Sequence, residues 1–105
     1  MDKKTIMLVC AAGLSTSILV TNMKKYAANN DFNVEVFATG TSQFDTNIKE
    51  KNVDVVLLGP QVRFMKDEFE KRLTEKRIPI AVIDMKDYGS MDGEKVLNQA
   101  FKMMD

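Results

Sequence analysis

An α/β fold built on an open sheet of parallel strands is what this sequence predicts, and three observations predict it. Four short apolar runs recur along the 105 residues. Helical periodicities separate them. Three of the four runs are almost unbroken by polar residues, as strands covered on both faces are. The resulting order, βαβαβαβα, implies right-handed crossovers with helices on both faces, in one three-layer domain spanning residues 1–105.

The first run, Thr5 to Val9, is continuous. Lys3 and Lys4 before it give the segment some likeness to a signal peptide. Gly13 and the hydroxyls of Ser15, Thr16 and Ser17 interrupt the apolar stretch, which falls short of the roughly 18 residues of a membrane span. Leu8-Val9 before Cys10 lacks the small residues expected before a cleavage point, so a buried strand followed by a turn is expected. Leu19, Met23, Tyr26 and Ala27 then repeat at helical spacing. Ser15, Thr16 or Ser17 would cap that helix, and Asn29-Asn30 would end it. The second strand, Val34 to Ala38, carries Glu35 in its middle, which marks it as an edge. Phe44 and Ile48 suggest a short helix with Ser42 as its cap. The third strand, Val53 to Leu58, is broken only by Asp54. Val62, Met65, Phe69 and Leu73 line one face of the next helix, and Glu68, Glu70, Lys71 and Arg72 its wet side. Ile80 to Ile83 forms the fourth strand. Leu97, Ala100, Phe101 and Met104 mark the last helix, capped by Ser90 or Asp92.

Composition narrows the function. Fifteen Lys and Arg balance fifteen Asp and Glu, so the clustered positive charge of a nucleic-acid binder is missing. The chain has one cysteine and no histidine. No internal disulfide can form, which suits a reducing, cytoplasmic setting without membrane insertion. Cys-His and Ser-His-Asp catalysis within the chain are excluded, as are the common zinc sites, and no metal or organic cofactor is expected. The eight methionines are expected to fill core gaps.

Sites in open parallel sheets lie at the carboxyl ends of the strands. Here those ends carry Cys10, Thr39-Gly40, Gly59-Pro60-Gln61 and Asp84. The lone cysteine opens the segment Ala11, Ala12, Gly13, Leu14, Ser15, Thr16 and Ser17, which links the first strand to the first helix. Small side chains and a glycine allow backbone N–H groups to fold around an anion. The helix N-terminus adds unpaired donors and positive partial charge. The same donors favour a thiolate on Cys10 and can hold a phosphoryl group attached to its sulfur.

Missing residues exclude neighbouring chemistries. No Walker loop, dinucleotide fingerprint or C-x-x-C motif is present. A small cysteine phosphatase also begins its phosphate loop with a cysteine after the first strand, but its C-x5-R-[ST] pattern is not met: the sixth residue after Cys10 is Thr16, and the nearest arginine in sequence is Arg63. Asp84 and Asp87 are the only late-loop candidates for the acid such a hydrolase needs, and neither lies in the Asp-Pro setting of that family. That enzyme, and a noncatalytic anion-binding regulatory domain, stand as alternatives to a phosphoryl carrier.

The run Val9-Cys10-Ala11-Ala12-Gly13-Leu14-Ser15-Thr16-Ser17 resembles the phosphocysteine loop of enzyme IIB in the lactose/cellobiose family of the bacterial sugar phosphotransferase system. The resemblance continues in Asp54 to Gln61 and, more weakly, in Tyr88-Gly89 and Asp92-Gly93. It implies a four-stranded parallel sheet ordered 2-1-3-4. It implies that Cys10 accepts a phosphoryl group from a phosphohistidine on a IIA protein. Cys10 would then pass the group to a sugar, such as the β-linked disaccharide cellobiose, bound by the membrane component IIC. Backbone amides of the loop would cradle the phosphoryl group, with Ser15 and Thr16 hydroxyls beside them, and Gly59, Pro60 and Gln61 would border the site. Leu14 and Ile18 are candidates for an apolar docking patch next to Cys10.

Overall fold

The computed structural model describes residues 3–11 and 14–104, with backbone alone for Leu14 and Ser15. Four strands, β1 (Lys4–Cys10), β2 (Val34–Gly40), β3 (Val55–Leu58) and β4 (Ile80–Val82), form one parallel sheet in the order β2-β1-β3-β4. This is the order the family resemblance implies, and it places β2, with its Glu35, at an edge. Five α-helices accompany the sheet: α1 (Leu14–Asn29), α2 (Phe44–Glu50), α3 (Lys66–Leu73), α4 (Met85–Gly89) and α5 (Gly93–Met104).

Alternation along the strands creates two cores, because successive side chains point to opposite faces. Ile6 and Leu8 of β1 join Val36, Val55 and Leu57 beneath α1 and α5, where Leu19, Met23, Val96, Leu97 and Ala100 are buried. Met7 and Val9 face the other way with Val56 and Leu58, against Phe44, Ile48, Phe69 and Leu73 of α2 and α3. The rings of Phe44 and Phe69 stack at 4.0 Å. The runs are nearly continuous because each strand feeds both layers. Asp54, the one charge in the third run, sets the β1–β3 register: its carboxylate accepts from the Thr5 N–H at 2.7 Å, and its own N–H donates to the Thr5 carbonyl at 2.9 Å.

The structure corrects several element assignments. α1 begins at Leu14, so Ser15, Thr16 and Ser17 lie inside its first turn instead of preceding it as caps. α2 follows a 3-10 turn over Thr41–Gln43, and its N-cap is Gln43 in place of Ser42. The third helical pattern divides. Gly59 and Pro60 open a 3-10 segment through Met65, with Val62 at non-helical angles, and only from Lys66 is the chain α-helical. The helix α4 was not expected. Asp84 caps it by accepting from the N–H groups of Lys86 and Asp87. Asp92, of the two caps considered for α5, accepts from the Lys95 N–H at 3.0 Å, while Ser90 ends α4. Methionine use is mixed: Met7 and Met23 are fully buried, whereas Met85 is exposed.

The tightest joint between elements is the crossing of α5 over α1. A Cβ on Gly93 would lie 2.5 Å from the Asn22 carbonyl carbon and 2.6 Å from the Met23 nitrogen. Backbone atoms cannot swing aside as a side chain can, so the helices would have to separate. Gly93→Ala is therefore expected to lower stability by about 1–3 kcal/mol in urea unfolding. Gly89→Ala, where a Cβ meets nothing within 4 Å, should leave it nearly unchanged; equal losses in both variants would contradict this account of the joint.

Candidate functional site

Cys10 is the last residue of β1, paired with Gly40 of β2. On its other side Gly59 follows β3 and donates its N–H to the Val9 carbonyl at 2.8 Å. The thiol thus stands at the carboxyl end of a central strand, between two residues without side chains. Neither glycine is there for its backbone angles, since both are extended with negative φ. At Gly40 a Cβ would make ordinary contacts of 3.8 and 3.9 Å with the Cys10 and Ala11 carbonyls. At Gly59 it would collide with the Gln61 side chain.

By the alternation of β1, Cys10 points to the face that α1 covers. There the hydroxyl of Thr16 donates to the Cys10 sulfur at 2.6 Å. Both groups are withdrawn from solvent: Cys10 is 1 % exposed and Thr16 fully buried. Thr16 is the chain's only buried polar residue among those described, and a hydroxyl there needs a partner to offset its lost hydration. Its place in the first turn of α1, not at the cap, is what turns the oxygen back onto the sulfur. Helix α1 has no acidic residue in that turn, so its positive end is left uncancelled on the sulfur's side.

The remaining predicted residues divide into three groups. Ala12 and Gly13, the centre of the expected cradle, lie outside the described residues, as do the side chains of Leu14 and Ser15. Ala11 and Ser17 are exposed. Gly59, Pro60 and Gln61 directly follow β3, with Gly59 and Pro60 buried and Gln61 exposed. Arg63 turns to the loop itself, donating from Nη1 to the Pro60 carbonyl at 2.9 Å. Two exposed apolar residues that were not singled out in the sequence follow the carboxyl ends of β3 and β4: Phe64 and Met85. Their signal would have been their position just after a strand end, outside the helical stripes.

The family model for the lactose/cellobiose-specific IIB subunit of the phosphotransferase system matches residues 5–99. The chain belongs to the lactose/cellobiose-specific IIB family. It is 46 % identical over 108 aligned positions to the cellobiose-specific EIIB component of Lactococcus lactis subsp. lactis, covering all of both chains. It is equally, 46 %, identical to the galactose-specific EIIB component of Lactococcus lactis subsp. cremoris, again over the full length of both. The solution structure of a cellobiose-specific IIB component from Borrelia burgdorferi superposes with a TM-score of 0.80 at 41 % identity, covering 98 % of this chain and 93 % of that one. As a IIB component, this protein is a phosphotransferase of sugar phosphorylation, working with a IIA donor and a membrane IIC component. No helix among its described residues is long and apolar enough to cross a membrane.

The Thr16 contact makes a testable claim on this IIB. A hydrogen bond to a charged partner contributes about 1.5–3 kcal/mol, and the Thr16 hydroxyl is placed to supply one to the Cys10 sulfur. Thr16→Val keeps the shape and removes the donor. Phosphoryl transfer from IIA, followed by rapid quench, should slow about ten- to a hundredfold with the fold intact by circular dichroism; an unchanged rate would show the contact to be packing alone.

Proposed function

We propose that Cys10 is the residue that carries the phosphoryl group. The observation that carries this reading is the buried sulfur at the end of β1, with the Thr16 hydroxyl donating to it at 2.6 Å. In the first half-reaction the Cys10 sulfur attacks the phosphorus of a phosphohistidine on IIA. An S–P bond forms as the P–N bond breaks, and its electron pair returns to the imidazole. The proton lost by the thiol balances the one the imidazole regains. In the second, a sugar hydroxyl held by IIC attacks the same phosphorus. The S–P bond breaks with its electrons returning to sulfur, and the hydroxyl proton passes to a base of the IIC complex. Backbone N–H groups from Ala11 to Ser17, with the Ser15 hydroxyl, stabilise the phosphoryl oxygens through both steps, while the Thr16 hydroxyl serves the sulfur. Gly59, Pro60 and Gln61 border the site. The whole chain acts as one cytoplasmic domain, without metal or organic cofactor.

The sugar class we propose is a β-linked disaccharide such as cellobiose. The relatives named for cellobiose and galactose are equally similar to this chain, which fits a carrier whose sugar is selected mainly by IIC. The phosphatase alternative is disfavoured at the position that decides it: Thr16 stands where that motif has its arginine, and Arg63 is engaged by the Pro60 carbonyl.

A carrier must dock two proteins in turn and release both, which suits a modest interface. Ile18, one turn along α1 from the site, is 52 % exposed and supports the docking role considered for Leu14 and Ile18; the Leu14 side chain lies outside the described residues. Ile18→Lys should raise the KM for phosphorylated IIA about tenfold at an unchanged melting temperature, and an unaltered KM would remove Ile18 from the contact. The assignment of Cys10 is tested by intact mass after incubation with phosphoenolpyruvate, enzyme I, HPr and a matched IIA. One added phosphoryl group on the wild type and none on Cys10→Ser is the expected result. Steady hydrolysis of an aryl phosphate without an adduct would favour the phosphatase instead.

A further inference from the structure

The space beside Gly59 is taken by the end of a neighbouring side chain. Its angles, φ −62° and ψ 149°, suit any residue. A Cβ built on it would lie 2.8 Å from the Gln61 Oε1 and 3.6 Å from the Cys10 Cβ. The carboxamide of Gln61 therefore occupies the volume that a side chain at 59 would take, beside the reactive cysteine. Gln61 is exposed, so no core packing demands this.

We infer that Gln61 is a catalytic residue of this IIB, whose carboxamide donates an N–H to an oxygen of the phosphoryl group on Cys10. Its terminal amide turns about a soft torsion that exchanges oxygen and nitrogen, so the group can present its two N–H donors to the phosphoryl oxygens. Helix α1 follows Cys10 on one flank of the site, and Gln61 follows β3 on the other. The donor is neutral, and the adjacent cation, Arg63, is tied to the Pro60 carbonyl at 2.9 Å. Charge-assisted hydrogen bonds are roughly twice as strong as neutral ones. A guanidinium in this place would deepen the phosphorylated state and slow onward transfer, because binding that is not specific to the transition state does not speed the chemical step. A carboxamide stabilises charge as it moves between sulfur and partner without trapping it. The inference rests on Cys10 as the carrier.

The test compares wild type with Gln61→Leu, Gln61→Glu and Gly59→Ala, each phosphorylated through phosphoenolpyruvate, enzyme I, HPr and IIA. Quenched-flow transfer rates are read alongside the 31P resonance of the phosphocysteine. Gly59→Ala keeps the carboxamide but displaces it, so it separates position from presence. Gln61→Leu and Gly59→Ala should each slow transfer about tenfold and shift the 31P resonance. Gln61→Glu should slow it further, because a carboxylate repels the phosphoryl group. In the wild type, the Gln61 side-chain amide protons should shift on phosphorylation, a signal a merely structural residue would not give. Wild-type rates and an unmoved 31P resonance in Gln61→Leu would overturn the inference while leaving Cys10 as the carrier. A wild type that takes up no phosphoryl group would overturn the carrier reading, and this inference with it.

Discussion

The parallel pairing of β1 with β2 on one side and β3 on the other positions the chemistry of this protein. Cys10 closes β1, so its coordinates follow from a ladder that begins with Lys4 in register with Val34 and is locked to β3 by the Asp54 carboxylate on Thr5. Both faces of that ladder are covered, by α1 and α5 on one and by α2 and α3 on the other. A strand packed on both faces has little freedom to slide, since a one-residue slip would exchange its two cores. The Cys10 sulfur is thereby mounted on a strand paired on both sides and covered on both faces.

A phosphoryl carrier has to reconcile two demands on one atom. The sulfur must be dry enough that water does not compete for the phosphoryl group, yet a partner must reach it. Placing it flush with the end of the sheet answers both. The thiol is almost wholly withdrawn from solvent, but nothing beyond it belongs to the sheet. Glycine on either neighbour keeps the approach low, and the exposed apolar residues Ile18, Phe64 and Met85 sit on segments that leave that same end. Burial of apolar surface on docking would expel water from the site as the partner arrives.

Much of this was legible in the sequence because parallel strands advertise themselves. A strand buried on both faces must be almost wholly apolar, and three of the four runs are. The edge position of β2 was legible in Glu35, which a central strand could not have carried cheaply. What the sequence concealed was local. Helix α4 spans five residues, too few for a helical period to register, although the Asp84 cap is a signal in retrospect. The turn from Gly59 to Met65 shares its apolar spacing with an α-helix, and only the backbone angles at Val62 separate the two. The serine and threonine after Gly13 read as caps because hydroxyls favour that place. In fact the helix starts ahead of them, which frees the Thr16 oxygen for the sulfur.

The same shift explains why the motif and the geometry say different things about this loop. As a motif, Cys10 to Ser17 is a string of small residues from which one infers a backbone cradle. As geometry, it contributes a buried side-chain donor six positions from the cysteine, where a phosphatase of similar design carries an arginine. The substitution of a neutral donor for a cation at that one position is a chemical choice. A guanidinium binds the phosphoryl group in every state, whereas a hydroxyl bonded to the sulfur acts mainly on the thiolate, the species that attacks and the species that leaves. On the proposed reading of Cys10 as the carrier, a donor to the sulfur eases its release when the sugar is phosphorylated, and Thr16 in place of an arginine keeps the phosphorylated state from becoming a trap. A carrier that must hand on what it receives is served by a weak hold on the group and a good hold on the sulfur.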